Sequence, residues 1–239
     1  MRLDVFFTPK EPAPADLSGR TVVVIDVLRA TTTMLAALCN GAREILPVAS
    51  VEEAVRKKDG LGRRDDLLLC GERGSRPIPG FDLGNSPLEF TAEKVRGRTL
   101  VMTTTNGTPA LLAGAAGMTC YVACLRNAGA AADAVAKISA DTVILCAGRH
   151  GRYAMEDALC AGLLAHRIRR AADGVRMNDA GRTSLLLAKR FHKAIESVLP
   201  RTAGGRHLTR AGYAADIRFC AAIDAEAILP RFHERRVTM

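Results

Sequence analysis

The chain has 239 residues, 48% of them hydrophobic and 25% charged, a texture that excludes an intrinsically disordered chain and suffices for one substantial core. Aromatics are scarce, with no Trp, 3 Tyr and 7 Phe, so Val, Leu, Ile, Met and Ala must build that core, which suits helices stacked on a buried sheet better than a β-sandwich. The net charge of +9, from 34 Lys and Arg against 25 Asp and Glu, is spread along the chain; its one dense run, at Arg167, Arg169 and Arg170, is too little for a nucleic-acid stripe, and attraction of an anionic metabolite accounts for the excess.

Residues 3–7 read as a short strand, followed by a connection carrying Pro9, Pro12 and Pro14. Residues 21–26 form the clearest buried strand, β-branched and unbroken until Asp26. Helical spacing over 31–40 stops at Gly41, and 44–48 is strand again. Ser50-Val51-Glu52-Glu53 is a capping box that opens a helix to about residue 58, before a strand at 67–70. The stretch 71–85, with Gly71, Gly74, Gly80, Gly84 and two prolines, is long for a loop in a compact domain, and such loops are functional or disordered. Ser86-Pro87-Leu88-Glu89 sets an N-cap, a first-turn Pro and a third-position Glu at its end, which favours an ordered, functional loop.

Further on, 99–102 is strand and Thr108-Pro109 starts a helix; 118–123 is strand and Asn127 caps an Ala-rich helix to 138. Residues 142–146 are strand and 155–170 helix, and from 178 the periodicity is mainly helical, with Ala203-Gly204-Gly205 as a break. Strands alternating with helices predict an α/β fold, three-layer α/β/α, with a mainly parallel or mixed sheet and a helix-rich C-terminal part. Residues 1–239 read as a single domain, with 125 as the place for any division into lobes.

Seven cysteines (Cys39, Cys70, Cys120, Cys124, Cys146, Cys160 and Cys220) make an odd set with no Cys-x-x-Cys spacing, which argues for a reducing cytoplasm and against a disulfide framework. The apolar run at 3–7 is too short for a signal peptide, and no stretch reaches the ~18 apolar residues that a membrane span needs.

Three segments repeat one plan of strand, polar loop and helix: 22–33, 100–108 and 143–157. In a parallel sheet their loops emerge at the carboxyl ends of the strands, where α/β proteins bind ligands. Hydroxyls, backbone N–H groups and helix N-termini there suit an oxyanion. Thr31-Thr32-Thr33 and Thr103-Thr104-Thr105 place six hydroxyls at two such junctions, beside Arg29 and Asn106. Either triplet alone reads as well as caps and strand ends; together they point to an anion. Arg29, Arg73, Arg149 and Arg152 are candidate clamps for phosphate or sulfonate oxygens, Arg29 and Arg73 foremost because they sit in Gly/Thr loops. His150, between Arg149 and Gly151, is the histidine placed to touch a ligand.

Asp26, Glu72, Asp82, Glu156 and Asp157 fall in or beside the same loops and together are able to hold a Mg²⁺, which takes carboxylate and water oxygens and bridges to phosphate. A phosphoaspartate mechanism of the haloacid-dehalogenase kind wants a second acid two residues after Asp26, where this chain has Leu28. Cys146 and Arg152 have the Cys-x5-Arg spacing of cysteine phosphatases, but Cys70 and Arg76 repeat it, and a chain this rich in both residues supplies such pairs by chance. That mechanism stays as an alternative, as does a non-catalytic module binding anionic metabolites or nucleic acid through the same loops.

The segments together resemble the 2-phosphosulfolactate phosphatase family. The resemblance rests on Asp26-Val27-Leu28-Arg29-Ala30-Thr31-Thr32-Thr33, Cys70-Gly71-Glu72-Arg73-Gly74, Gly80-Phe81-Asp82-Leu83-Gly84-Asn85-Ser86-Pro87 and Thr103-Thr104-Thr105-Asn106-Gly107-Thr108. Cys146-Ala147-Gly148 with Gly151-Arg152 and Glu156-Asp157, and the stretch from Asp216 to Asp224, extend it to the C-terminal part. It implies a cytoplasmic, Mg²⁺-dependent α/β/α enzyme that cleaves 2-phospho-3-sulfolactate to 3-sulfolactate and phosphate, a step toward coenzyme M. Its partner would be a small anionic phosphate ester, with no nucleic acid and no membrane, and self-association is left open.

On these motifs Asp26, Glu72 and Asp82 are expected to be catalytic, and Asp26, Asp82, Glu156 and Asp157 to hold the metal. Arg29, Thr31, Thr32, Arg73, Asn85, Thr104, Thr105, Asn106 and Arg152 are expected to bind substrate. Two departures bear on which anion fits: Gly204-Gly205-Arg206, with His207 displaced, stands where His-Gly-Arg is expected, and Arg149-His150 stands where an uncharged–acidic pair is more usual.

Overall fold

The β-branched run expected at residues 21–26 is a strand, Thr21–Ile25, buried from end to end. In the computed structural model, which describes residues 1–60 and 66–239, it belongs to one mixed sheet. The strands are β1 (Arg2–Phe6), β2 (Thr21–Ile25), β3 (Glu44–Pro47), β4 (Leu67–Arg73), β5 (Arg76–Pro77), β6 (Thr99–Thr103), β7 (Thr119–Ala123), β8 (Thr142–Cys146), β9 (Arg176–Met177), β10 (Arg231–His233) and β11 (Arg236–Thr238). Their order is β5-β4-β6-β3-β11-β10-β7-β2-β8-β1-β9. Two parallel wings, β4-β6-β3 and β7-β2-β8-β1-β9, are joined by the antiparallel hairpin β10-β11.

Side chains alternate across β2, so Val23 and Ile25 enter one core and Val22 and Val24 the other. The first core is covered by the helices Ala128–Ile138, Met155–Ala171 and Asp179–Phe191. The second takes Met34 and Leu38 from the helix Ala30–Cys39, Val143 and Leu145 from β8, and Leu100, Met102 and Ile45 from the opposite wing. Helices on both faces of a mixed sheet make the expected α/β fold.

Strands β6 and β2 are five steps apart in the sheet, about 24 Å if it were flat. Yet a Cβ on Gly107, just past β6, would lie 2.7 Å from Asp26 Oδ2, just past β2. The wings therefore curve toward each other over their shared core, and the loops at their carboxyl ends meet.

The C-terminal part is helix-rich as expected, but residues 231–238 at its end form the hairpin at the centre of the sheet, which the sequence reading did not mark. The hairpin's turn residues Glu234 and Arg235 both have positive φ (47° and 59°), a geometry whose usual sequence signal is Asn-Gly. Two expectations need correction. Ala203-Gly204-Gly205 is not a break but the first turn of the helix Ala203–Arg210, capped by Thr202 Oγ1, which accepts from Gly205 N at 3.0 Å. The Ser86–Glu89 box opens only a 3₁₀ turn, Pro87–Glu89; Ser86 Oγ donates instead to Asp216 Oδ1 at 2.8 Å.

The Gly-rich stretch is ordered: β4 runs on to Arg73, turns into β5, and the chain returns so that Gly71 N donates to both Leu83 O and Gly84 O. Gly71 has φ +151° and a Cβ there would strike Thr103 O, so close approach of the two strand ends requires glycine. All seven cysteines are free, and no helix among the described residues is long and apolar enough to cross a membrane.

Candidate active site

The loops after β2, β4, β6 and β8 converge with the first turns of the helix Ala203–Arg210 around an open cleft. Asp26, Arg29, Glu72, Asn85, Thr105, Asn106, Glu156 and Asp157 all line it, so most of the residues singled out from sequence are brought together.

Four carboxylates meet here, in two conditions. Glu72 Oε1 accepts from Thr105 N at 2.7 Å and its Oε2 from Ser75 N at 2.8 Å, tying the two loops of one wing together. Asp157 does the same in the other wing, accepting from Val27 N at 2.8 Å and Gly148 N at 3.0 Å. Burial pushes the Asp157 carboxyl well above its usual range, with Asp26 and Glu156 adding to it and those two N–H groups opposing it. Asp26 and Glu156 are left less satisfied. Burial, then the charge of Glu72, and more weakly that of Glu156, push Asp26 up to about 7, while a hydrogen bond from the Ala30 N–H and, less strongly, the charge of Arg29 pull the other way. Glu156 is raised by burial, and its Oε2 is buried with no hydrogen-bond partner.

Arg29 is locked. Nη1 donates to Asp216 Oδ2 at 2.6 Å, Nη2 donates to Ser75 O at 3.1 Å, and the guanidinium stacks 4.2 Å from the Tyr213 ring. A buried guanidinium neutralised by one acid and facing a cleft is a fixed anion receptor whose remaining N–H groups are aimed in advance. Of the buried side-chain atoms without partners among the described residues, Asn85 Oδ1, Thr105 Oγ1 and Glu156 Oε2 belong to residues lining this cleft. Such orphans are costly in a fold and call for an occupant.

Several expected residues lie elsewhere or do other work. Asp82 does not line the cleft: its Oδ2 accepts from Leu69 N at 2.7 Å, and its partner is Lys58, 3.9 Å away. Thr31 and Thr32 donate to Asp26 O and Val27 O at 2.8 and 2.9 Å, so their hydroxyls brace the loop, and neither residue is among those lining the cleft. Thr104 is consumed by a reciprocal pair with Thr108, its Oγ1 accepting from Thr108 N at 3.0 Å. Arg73 donates to Thr103 Oγ1 at 3.0 Å and stands outside the cleft lining. Arg152 is exposed; the turn from Arg149 reverses at His150 (φ 52°) and Gly151 (φ 70°), so Arg149, not Arg152, lines the cleft.

Cys146 is fully buried, and burial with the Asp157 charge pushes its thiol far from the thiolate form, as burial does for Cys70. A nucleophilic thiolate needs the opposite environment, so the cysteine mechanism falls. Sequence reasoning placed Asp216 only at the start of a stretch that carries the resemblance, and His207 only as displaced from an expected His-Gly-Arg. It gave no role to Ser75 or Tyr213, which nothing local marks.

Among the described residues no three carboxylate, histidine or cysteine side chains stand close enough to form a ready metal cage. Mg²⁺ does not require one, since it keeps several waters and takes one or two carboxylates plus phosphate oxygens. Asp26 and Glu156 fit that smaller set: one is crowded by like charge, the other has an orphaned oxygen.

A sequence profile described as 2-phosphosulpholactate phosphatase matches residues 6–235. A protein of Caldanaerobacter subterraneus subsp. tengcongensis named "Probable 2-phosphosulfolactate phosphatase" is 40% identical over 231 residues, 97% of this chain and 95% of its own. A protein of the same name from Symbiobacterium thermophilum is 40% identical over 95% of this chain and 97% of its own. One from Thermotoga maritima, again so named, is 36% identical over 95% and 94% respectively. The convergence of the motif loops on one acidic, arginine-anchored cleft and these matches along nearly the whole length have one reading: the chain belongs to the 2-phosphosulpholactate phosphatase family.

Proposed function

We propose that the protein hydrolyses the phosphate monoester of a small acidic hydroxy acid, 2-phospho-3-sulfolactate or a close analogue, to the free hydroxy acid and inorganic phosphate, with Mg²⁺ as cofactor. The observation that carries this is the pair Asp26 and Glu156, buried, repelling each other and in no ion pair among the described residues, beside the locked Arg29. Family membership supports the reaction class.

Asp26 and Glu156 would hold the metal, which when bound supplies charge neutralisation at the phosphoryl oxygens. Arg29 receives the phosphoryl group with the N–H groups that Asp216 and Ser75 leave free. Glu72 and Asp157 fix the loops that carry these groups, through backbone N–H donors at 2.7–3.0 Å. Water adds to phosphorus as the bond to the ester oxygen breaks, and the proton that the water loses ends on the leaving hydroxyl. Such a transfer needs mostly positioning and charge stabilisation, which this cleft is arranged to give. A place on a route to coenzyme M, in the cytoplasm, follows if the sulfonated substrate is the natural one.

The test is phosphate release from 2-phosphosulfolactate with Mg²⁺ and with EDTA. Release that requires Mg²⁺ supports the proposal. Release that ignores EDTA removes the metal from it, and no release from any phosphorylated hydroxy acid leaves a binding protein.

A further inference from the structure

Two arginines line the cleft in opposite conditions. Arg29 is buried and held on three sides. Arg149 has no side-chain hydrogen bond or ion pair among the described residues; its bonds are backbone ones, N to Arg152 O at 2.8 Å and O from Arg152 N at 3.1 Å. Its charge is nonetheless felt by Glu156, so the guanidinium is near the acidic corner.

The turn that presents Arg149 is itself held in place. His150 N donates to Asn106 Oδ1 at 2.8 Å, which pins the turn after β8 to the loop after β6. His150 lines the cleft, and its ring has no hydrogen-bond partner among the described residues. Across from it the helix Ala203–Arg210 packs so closely that a Cβ on Gly204 would collide with Glu156 Oε1. One turn further along, His207 lines the same cleft and is likewise without a side-chain partner among the described residues. Nitrogen-bearing side chains from two independently anchored elements therefore edge the cleft with their donors free.

We infer that Arg149, His150 and His207 form a second anion subsite, which selects phosphate esters carrying a further acidic group on the same short carbon frame. This rests on the phosphatase reading for the first subsite, at Arg29, Asp26 and Glu156. Arg149 is the specificity-determining residue, its guanidinium unencumbered and its fork matched to carboxylate or sulfonate oxygens. His150 and His207 add donors on either side. A sugar or nucleoside phosphate offers these groups no anion.

The experiment uses three esters of one skeleton: 2-phosphosulfolactate, 2-phospholactate and isopropyl phosphate, which carry two, one and no acidic groups besides the phosphate. The wild-type protein should lose about tenfold or more in kcat/KM for each group removed. Arg149→Met should lose about 30-fold or more on 2-phosphosulfolactate, mostly through KM, and less than about threefold on isopropyl phosphate. Arg149→Lys should recover part of the difference. An equal loss on all three esters, or on none, overturns the subsite. If the wild-type protein turns over none of them, the phosphatase reading has failed separately. Calorimetry with 3-sulfolactate then decides the subsite: binding lost in Arg149→Met upholds it, and equal binding by both proteins sinks it.

Discussion

Asp4 on β1 and Asp26 at the end of β2 flank the same strand, β8, and both are buried, at 1% and 6% exposure. Asp4 is neutralised from within the chain: Arg20 Nη1 donates to it at 2.9 Å, Arg2 Nε lies 2.6 Å away, and Arg20 Nη2 also donates to Thr142 O. Asp26 faces Glu72 and Glu156 and is pushed up to about 7. The two differ in where their cation comes from. This fold is able to supply arginine to a buried acid and does so at the amino end of the sheet, where the acid serves stability. At the carboxyl end it leaves an acid uncompensated, which costs stability and marks a site that takes its cation from outside.

Asp26→Asn should break the contrast most. Turnover should fall at least about 10³-fold, while the thermal midpoint near pH 7.5 holds or rises; a fully active variant would end the assignment. The same residue sets a pH signature. Its folded value of about 7 lies above the ordinary 3.8, so between those pH values the folded state keeps a proton that the unfolded state has released. Stability of the metal-free protein therefore falls as pH rises from about 4 to 7, by up to about 4 kcal/mol. Urea melts across that range should show the decline, and Asp26→Asn should lack most of it.

Asp4→Asn should do the reverse. Removing one partner of a buried pair strands Arg20, at a cost of about 3 kcal/mol, while kcat of the folded protein stays as it was; urea titration and activity on the same sample separate the two. Adjacent glycines sharpen the comparison at smaller scale. Gly204→Ala should displace Glu156 and lower kcat/KM by roughly 10- to 100-fold, with a weaker Mg²⁺ dependence. Gly205→Ala should instead meet Leu199 O and show its effect in the melting curve.

Much of this was legible in the chain. The parallel wings follow from β-branched runs alternating with helical periods; Asp26 stands out as an acid ending an apolar strand, and Arg29, Glu72, Glu156 and Asp157 by their places in or beside the loops that follow strands. What was not legible is direction. Thr31–Thr33 and Thr103–Thr105 look alike, but only Thr105 has a buried, unpartnered hydroxyl in the cleft; the others bond to nearby backbone or side chains, which composition cannot foretell. Glu72 and Asp82 share one Gly-rich stretch, and the return of the chain along β4 turns Asp82 toward Lys58. Arg149 and Arg152 exchange roles because two left-handed residues lie between them. The ion pair of Arg29 with Asp216 spans 187 residues, beyond any local pattern.

The hairpin β10-β11 follows every other described strand in chain order, which gives it an uncommon place in the order of assembly. A polypeptide leaves the ribosome amino end first, and early elements fold as they emerge. Here each wing has its own parallel strands before the two strands that weld them are made. Loop closure between such distant segments is slow, so the nascent protein carries two open sheet edges, at β3 and β7, until the hairpin has emerged. A stop placed just before Arg231 would remove the keystone of the sheet, and with it the curvature that brings the two halves of the cleft together.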